Sequence, residues 1–158
     1  MEGKKKLTAF HEAGHAVVAL LVGRPVQKVS IIPSQNRLGS CHMSKGRSKK
    51  AQDALESEML ILLAGMAAEG RVAGRYNVAG AQQDLMMVQK LASQRAGNQR
   101  QMEKLVHRTL DKVNHMLRDQ ATWSAVKSIA NALLDSESIS GREAKHLLTM
   151  AQNSSGGK

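Results

Sequence analysis

The sequence has one cysteine, two prolines and three aromatic residues in 158 positions, and each scarcity excludes something. A lone Cys41 cannot close an intrachain disulfide, so the fold is not a stapled secreted scaffold, and a reducing, cytoplasmic setting is the default expectation. With Phe10, Tyr76 and Trp123 as the whole aromatic complement, a base-stacking platform for single-stranded nucleic acid has too few rings. No apolar run approaches the ~18–20 residues needed to cross a bilayer, and no signal peptide precedes the first amphipathic pattern. There is no G-x-x-x-x-G-K-[ST] and no G-x-G-x-x-G, so no nucleotide-binding loop is recognisable.

What remains is ordinary for a folded domain: 42% hydrophobic and 23% charged residues, with a core to be built from Leu, Val, Ile, Ala and nine Met. The length suits one domain. The formal charge of +10 raises the prior for anionic partners. Lys and Arg are nevertheless spread over the chain as on a solvated surface, and nucleic acid ranks last among the candidate partners.

Hydrophobic period organises the chain into a mainly α bundle of about six helices with one small β-hairpin. Leu7, Phe10, Val17, Val18 and Leu21 place a first helix at about 7–22, stopped by Gly23 and Pro25. The β-branched stretch 26–32 and the stretch 38–43 predict an antiparallel hairpin, followed by a basic surface loop at 44–50. Leu55, Met59, Leu62, Leu63 and Met66 mark a second, strongly buried helix over 51–72, in which Gly65 invites close approach by another helix, the first being the natural partner. A glycine-bounded loop at 74–80 precedes a third helix from about Ala81. Met102 to Leu117 describe a fourth, and Thr122 is the expected cap of a fifth that buries Trp123, Val126, Ile129 and Leu133. Ser140-Gly141-Arg142-Glu143 has capping-box spacing and starts a last helix at 141–151. The expected division is a domain over 1–151 and a disordered tail over 152–158.

The chemistry is concentrated in His11-Glu12-Ala13-Gly14-His15, an H-E-x-x-H pattern on the first helix. Residues four apart return to within 40° of the same helix face, so both imidazoles can converge on one zinc ion, while Glu12 flanks it where a general base belongs. A catalytic zinc needs a third protein ligand, and His42, Glu69, Asp84, His107, His115 and His146 are the candidates. Asp84, at the start of a helix after a glycine-bounded loop, is favoured locally, although a carboxylate there also serves the helix dipole. Glu69 is the runner-up, as metal ligand or as partner of a zinc-bound histidine. His107, His115 and His146 fall on polar helix positions. Zinc is the default ion, and iron uses a similar donor set.

Thr8-Ala9-Phe10-His11-Glu12-Ala13-Gly14-His15-Ala16-Val17-Val18 resembles the opening of the protease domain of the FtsH family of AAA+ zinc peptidases (M41-type). The likeness continues in order through Val29-Ser30-Ile31-Ile32-Pro33, Leu38-Gly39, Leu63-Ala64-Gly65-Met66-Ala67-Ala68-Glu69, Gly80-Ala81-Gln82-Gln83-Asp84-Leu85 and Leu133-Leu134-Asp135-Ser136-Glu137. It implies a mainly helical zinc endopeptidase with His11, His15 and Asp84 as ligands and Glu12 as base. Glu69 then becomes a supporting carboxylate.

The resemblance also implies unfolded protein or peptide substrates and a homo-oligomer, since the family's protease domains assemble into six-membered rings. The family joins this domain to transmembrane segments and an ATPase module, neither of which is in this sequence. The expectation is therefore a domain that cuts flexible chains without ATP. The alternative is a catalytically weak binding or regulatory module that works with a separate ATPase partner. Met66 and Gly70 replace the arginine and second glutamate of the family's Gly-Arg-Ala-Ala-Glu-Glu pattern, and Val78-Ala79 replaces its Thr-Thr. The implied ligands are untouched by these changes, which bear instead on ring contacts and the substrate strand.

Overall fold

The computed structural model describes residues 2–33, 39–43 and 53–156. The expected turn at 34–37, the expected basic loop at 44–50, Leu38, the expected helix start at 51–52 and the tail residues 157–158 lie outside them.

Helix α1, Glu2–Leu21, buries one face completely through Ala9, Ala13, Ala16, Val17 and Val18. It begins five residues before the expected start. Glu2 to Lys6 show no apolar period, but the lysines are good helix formers, and their exposed positions need no packing to stay helical. The helix stops where expected. Gly23 takes φ 87°, and the N–H groups of Gly23 and Arg24 cap the carbonyls of Leu20 and Ala19 at 3.1 and 2.8 Å.

Strands β1 (Val26–Ser30) and β2 (Ser40–Met43) form the expected antiparallel hairpin, with Val29 opposite Cys41 and Ser30 opposite Ser40. A third strand, β3 (Ser138–Ser140), pairs antiparallel with the other side of β1, giving the order β2-β1-β3. Sequence periodicity misses β3 because three residues with one apolar side chain, Ile139, carry no alternation. Its burial opposite Val29 is a tertiary fact.

Helix α2, Ala54–Ala73, is the centre of the molecule, buried on nearly all sides from Met59 to Gly70. Such a helix is apolar all round because it packs on every face. Its N-cap is Asp53, whose carboxylate accepts from the Glu56 N–H at 3.0 Å. Its C-cap is Gly74 at φ 85°. Glycine at position 14 sets the α1–α2 distance, since a β-carbon there would fall 2.6 Å from the Ala64 carbonyl oxygen.

A 3₁₀ turn at Ala79–Ala81 leads into α3, Gln82–Ser93, and α4, Gln99–Arg118, follows with Asn98 as its N-cap. Helix α5, Gln120–Ser136, is capped by Asp119 rather than by the expected Thr122. Thr122 lies one turn inside the helix. Its backbone N–H and hydroxyl both donate to Asp119 Oδ2, at 3.0 and 2.9 Å. The last helix, α6, spans Gly141–Gly156, with the Ser140 hydroxyl accepting from the Glu143 N–H at 3.0 Å as the capping-box spacing predicts. Helix α6 runs on through 152–156, the first part of the stretch expected as a tail. Ala151 is still buried, and no glycine or proline interrupts Gln152 to Ser155, so the helix propagates beyond its last packed residue. No helix of the described residues is long and apolar enough to cross a membrane.

Candidate metal and catalytic site

Three helices converge on one point. His11 and His15 leave the same face of α1 with ring centroids 4.8 Å apart, and α2 passes beneath them at Gly65. A β-carbon on Gly65 would lie 2.5 Å from His15 Nε2 and 2.6 Å from His11 Nε2, so only glycine lets the rings reach this position against α2. Asp84, in the first turn of α3, brings Oδ2 to 3.2 Å from His11 Nε2 and 3.1 Å from His15 Nε2.

The other ring nitrogens decide the tautomers. His15 Nδ1 lies 2.7 Å from the Ile61 carbonyl oxygen, which can only accept, so Nδ1 carries the hydrogen. His11 Nδ1 lies 3.0 Å from Glu69 Oε1, and the same logic makes it the donor. Both Nε2 lone pairs of the neutral rings then face a carboxylate oxygen, an arrangement of acceptors that only a positive charge between them reconciles. Protons supply that charge in one state of the site. Although burial opposes it most, hydrogen bonds to Asp84 and Glu69 and the nearby Glu12 charge raise His11 to about 9. Asp84 shows the complementary effect: burial works to raise it, but hydrogen bonds and charge from His11 and His15 hold it below the ordinary carboxylate range.

A metal cation supplies the charge equally well. His11, His15 and Asp84 each offer one donor atom, all within 4.8 Å of one another, and no other such group of three occurs among the described residues. A tetrahedral ion about 2.0–2.1 Å from each donor separates the donors by about 3.3 Å, close to the 3.1 and 3.2 Å from Asp84 to the two imidazoles. Two imidazoles and a carboxylate are a donor set suited to zinc. The site's fit to such an ion therefore rests on donor type, tautomer and the two carboxylate-to-imidazole spacings together.

Glu12 is buried beside this cluster and shares with it a cavity of about 380 Å³ that also takes in Thr8, Gly39, Asn77 and Asp84. Gly39, immediately before β2, permits the approach of strand and helix: a β-carbon there would meet Ser30 O at 2.8 Å and Glu12 Cγ at 2.9 Å. Cys41 contributes no thiolate. Burial, with the Glu12 charge adding to it, pushes its thiol up to about 12.

Of the other sequence candidates, Glu69 stands on the far side of His11 from Asp84, bonded to Nδ1. Its second oxygen accepts from Asn77 Nδ2 at 3.2 Å. His42 is exposed on β2 beside Ser40. His107, His115 and His146 are exposed on α4 and α6. Two contributors escape sequence reasoning. Asn77 steadies Glu69 and also accepts the Gly80 N–H at 3.0 Å, a turn whose only sequence signal is an asparagine three residues before a glycine. The Ile61 carbonyl is a backbone group with no side-chain signature at all.

Comparison with known proteins agrees with this picture. Residues 1–99 match the sequence profile of Peptidase family M41. The chain is 39% identical over 92 residues to an ATP-dependent zinc metalloprotease FtsH of Chlamydia trachomatis, covering 56% of this chain and 10% of that protein. It is 39% identical over 95 residues to the FtsH of Protochlamydia amoebophila, covering 58% and 10%. A chloroplastic ATP-dependent zinc metalloprotease FTSH of Medicago sativa is 40% identical over 101 residues, covering 59% and 14%. The matched stretch is thus between a tenth and a seventh of the length of these relatives.

Proposed function

Because the chain belongs to peptidase family M41, whose profile matches residues 1–99, we propose that it is a zinc-dependent endopeptidase domain acting on unfolded or flexible polypeptides. The observation that carries the proposal is the convergence of His11 Nε2, His15 Nε2 and Asp84 Oδ2, with both Nδ1 atoms tied to acceptors and Glu12 lining one cavity with His11 and Asp84. In this reading His11, His15 and Asp84 hold the zinc. Glu69 and the Ile61 carbonyl orient the two rings and fix their tautomers, the usual task of groups behind a metal-bound histidine. When bound, zinc supplies a Lewis acid that acidifies water and polarises a carbonyl oxygen.

The chain's own residues do the rest. Glu12 accepts a proton from the attacking water and hands it to the amine nitrogen as the peptide bond breaks, with its carboxylate close to both events. The outer side of β2 is unpaired among the described residues, and Gly39 at its start lines the cavity. An extended substrate backbone is proposed to add to this edge and run into the site, which selects unfolded chain over folded protein. A phosphate-binding loop is absent from the 158 residues, so the domain is proposed to cleave an already unfolded chain without ATP.

Glu12→Gln is the direct test. Zinc content should be retained while kcat on casein falls about 10²–10⁴-fold, the usual worth of a positioned general base. Full activity in the zinc-loaded variant contradicts the assignment.

A further inference from the structure

Beyond the site lie two further cavities that share walls with it in turn. The second cavity, of about 500 Å³, shares Leu7, Glu69 and Asn77 with the first, and a third, of about 330 Å³, shares Arg75 and Tyr76 with the second. The far end is walled by Arg71, Arg75 and Arg118 and by no carboxylate.

Part of this charge serves the fold. The C-terminal ends of α2 and α4 meet here, each equivalent to about −0.5 charge. Arg71 donates to the Leu117 carbonyl at 3.1 Å and lies 4.5 Å over the Trp123 ring, so it is committed to joining α4 and α5 to α2. Three full positive charges against two half charges still leave about +2. Arg75 and Arg118 are exposed, and among the described residues neither forms an ion pair with a carboxylate.

We infer that this arginine pocket is a subsite for an acidic residue of the polypeptide whose scissile bond lies at Glu12, reached along the groove past Asn77 and Tyr76. The inference rests on the peptidase proposal and adds a substrate preference to it. A polypeptide fits better than a nucleic acid. Tyr76 is the single aromatic of the groove, with its hydroxyl accepting from Asn114 Nδ2 at 2.8 Å, and Glu12, Glu69 and Asp84 at the near end repel a continuous phosphate backbone. A chain with one acidic position, set away from the scissile bond, meets both ends of the groove.

The test is a set of fluorogenic peptides with one uncharged core, in which a pair of glutamates is moved residue by residue along either flank. The zinc-loaded protein should cleave one register about five- to tenfold better than the neutral peptide, through a lower KM, as two partly exposed ion pairs allow. That ratio should fall to near one at about 0.5 M salt and in R75Q/R118Q, whereas Arg142→Gln on α6 keeps it. Equal cleavage of all registers, or a preference that survives R75Q/R118Q, overturns the subsite. If no peptide is cut, the peptidase proposal fails, and fluorescence anisotropy of a labelled acidic peptide still decides the subsite. Binding weakened by R75Q/R118Q supports it, and binding indifferent to those changes overturns it. Tighter binding of a DNA strand of equal charge through the same arginines also overturns it.

Discussion

Gly65 separates the demands of helix stability from those of the site. Alanine is better than glycine inside a helix by about 1 kcal/mol, yet the added carbon would press on the Nε2 atoms of both His11 and His15. Gly65→Ala should therefore leave the thermal midpoint unchanged or higher while zinc affinity, measured by competition with a chelator, falls at least about tenfold through lost ligand geometry. Unaltered affinity would mean that the rings are not held against α2 as described. Residue by residue, His11, Glu12 and His15 are legible in the sequence because their relation is local, fixed by four residues of helix. Asp84 and Glu69 are not separable on the same terms. Both carboxylates approach His11, and which ring nitrogen each one meets is set by how α2 and α3 pack against α1, information that no local spacing holds.

Helix by helix, the sequence places all six and errs mainly at their ends, where caps compete. Thr122 and Asp119 are both good capping residues three positions apart, and the aspartate wins because it accepts from both the backbone and the hydroxyl of Thr122. Asp53 caps α2 and also binds the Arg95 guanidinium after α3. The Arg95 hydrogen bond first, and then the Glu56 N–H, lower its carboxyl to about 2. A depressed carboxylate stabilises the fold above its unfolded pKa, near 3.9, and loses that contribution as pH falls through about 2. Asp53→Ala should cost about 1 kcal/mol at neutral pH, and the gap to the parent should close over that acid window in denaturant titrations. A constant gap would assign the effect to something other than the charged cap. Gly14 differs from Gly65, since its added carbon would strike the backbone of α2 rather than side-chain ring atoms. Gly14→Ala should thus destabilise the domain by about 1–3 kcal/mol, and an unchanged denaturation midpoint would show that the α1–α2 seam can open freely.

For the molecule as a whole, the scaffold is the α1–α2 pair. The sheet and α5 pack on α1, and α3 and α4 pack on α2, and the site lies where the first three helices and the strand edge meet. That arrangement explains why the small sheet matters out of proportion to its size: it sets Gly39 and the β2 edge beside Glu12. The formal charge of +10 looks from composition alone like a property of the entire surface, and the fold concentrates part of it in the arginine pocket at the end of the groove. The zinc site is tested most directly by metal content from mass spectrometry, on protein purified without a metal-affinity step, beside Asp84→Ala and with casein cleavage assayed in parallel. About one zinc per chain is expected, lost in Asp84→Ala together with chelator-sensitive cleavage. A parent protein that folds and takes up no metal, or an Asp84→Ala variant that keeps both zinc and activity, would contradict it.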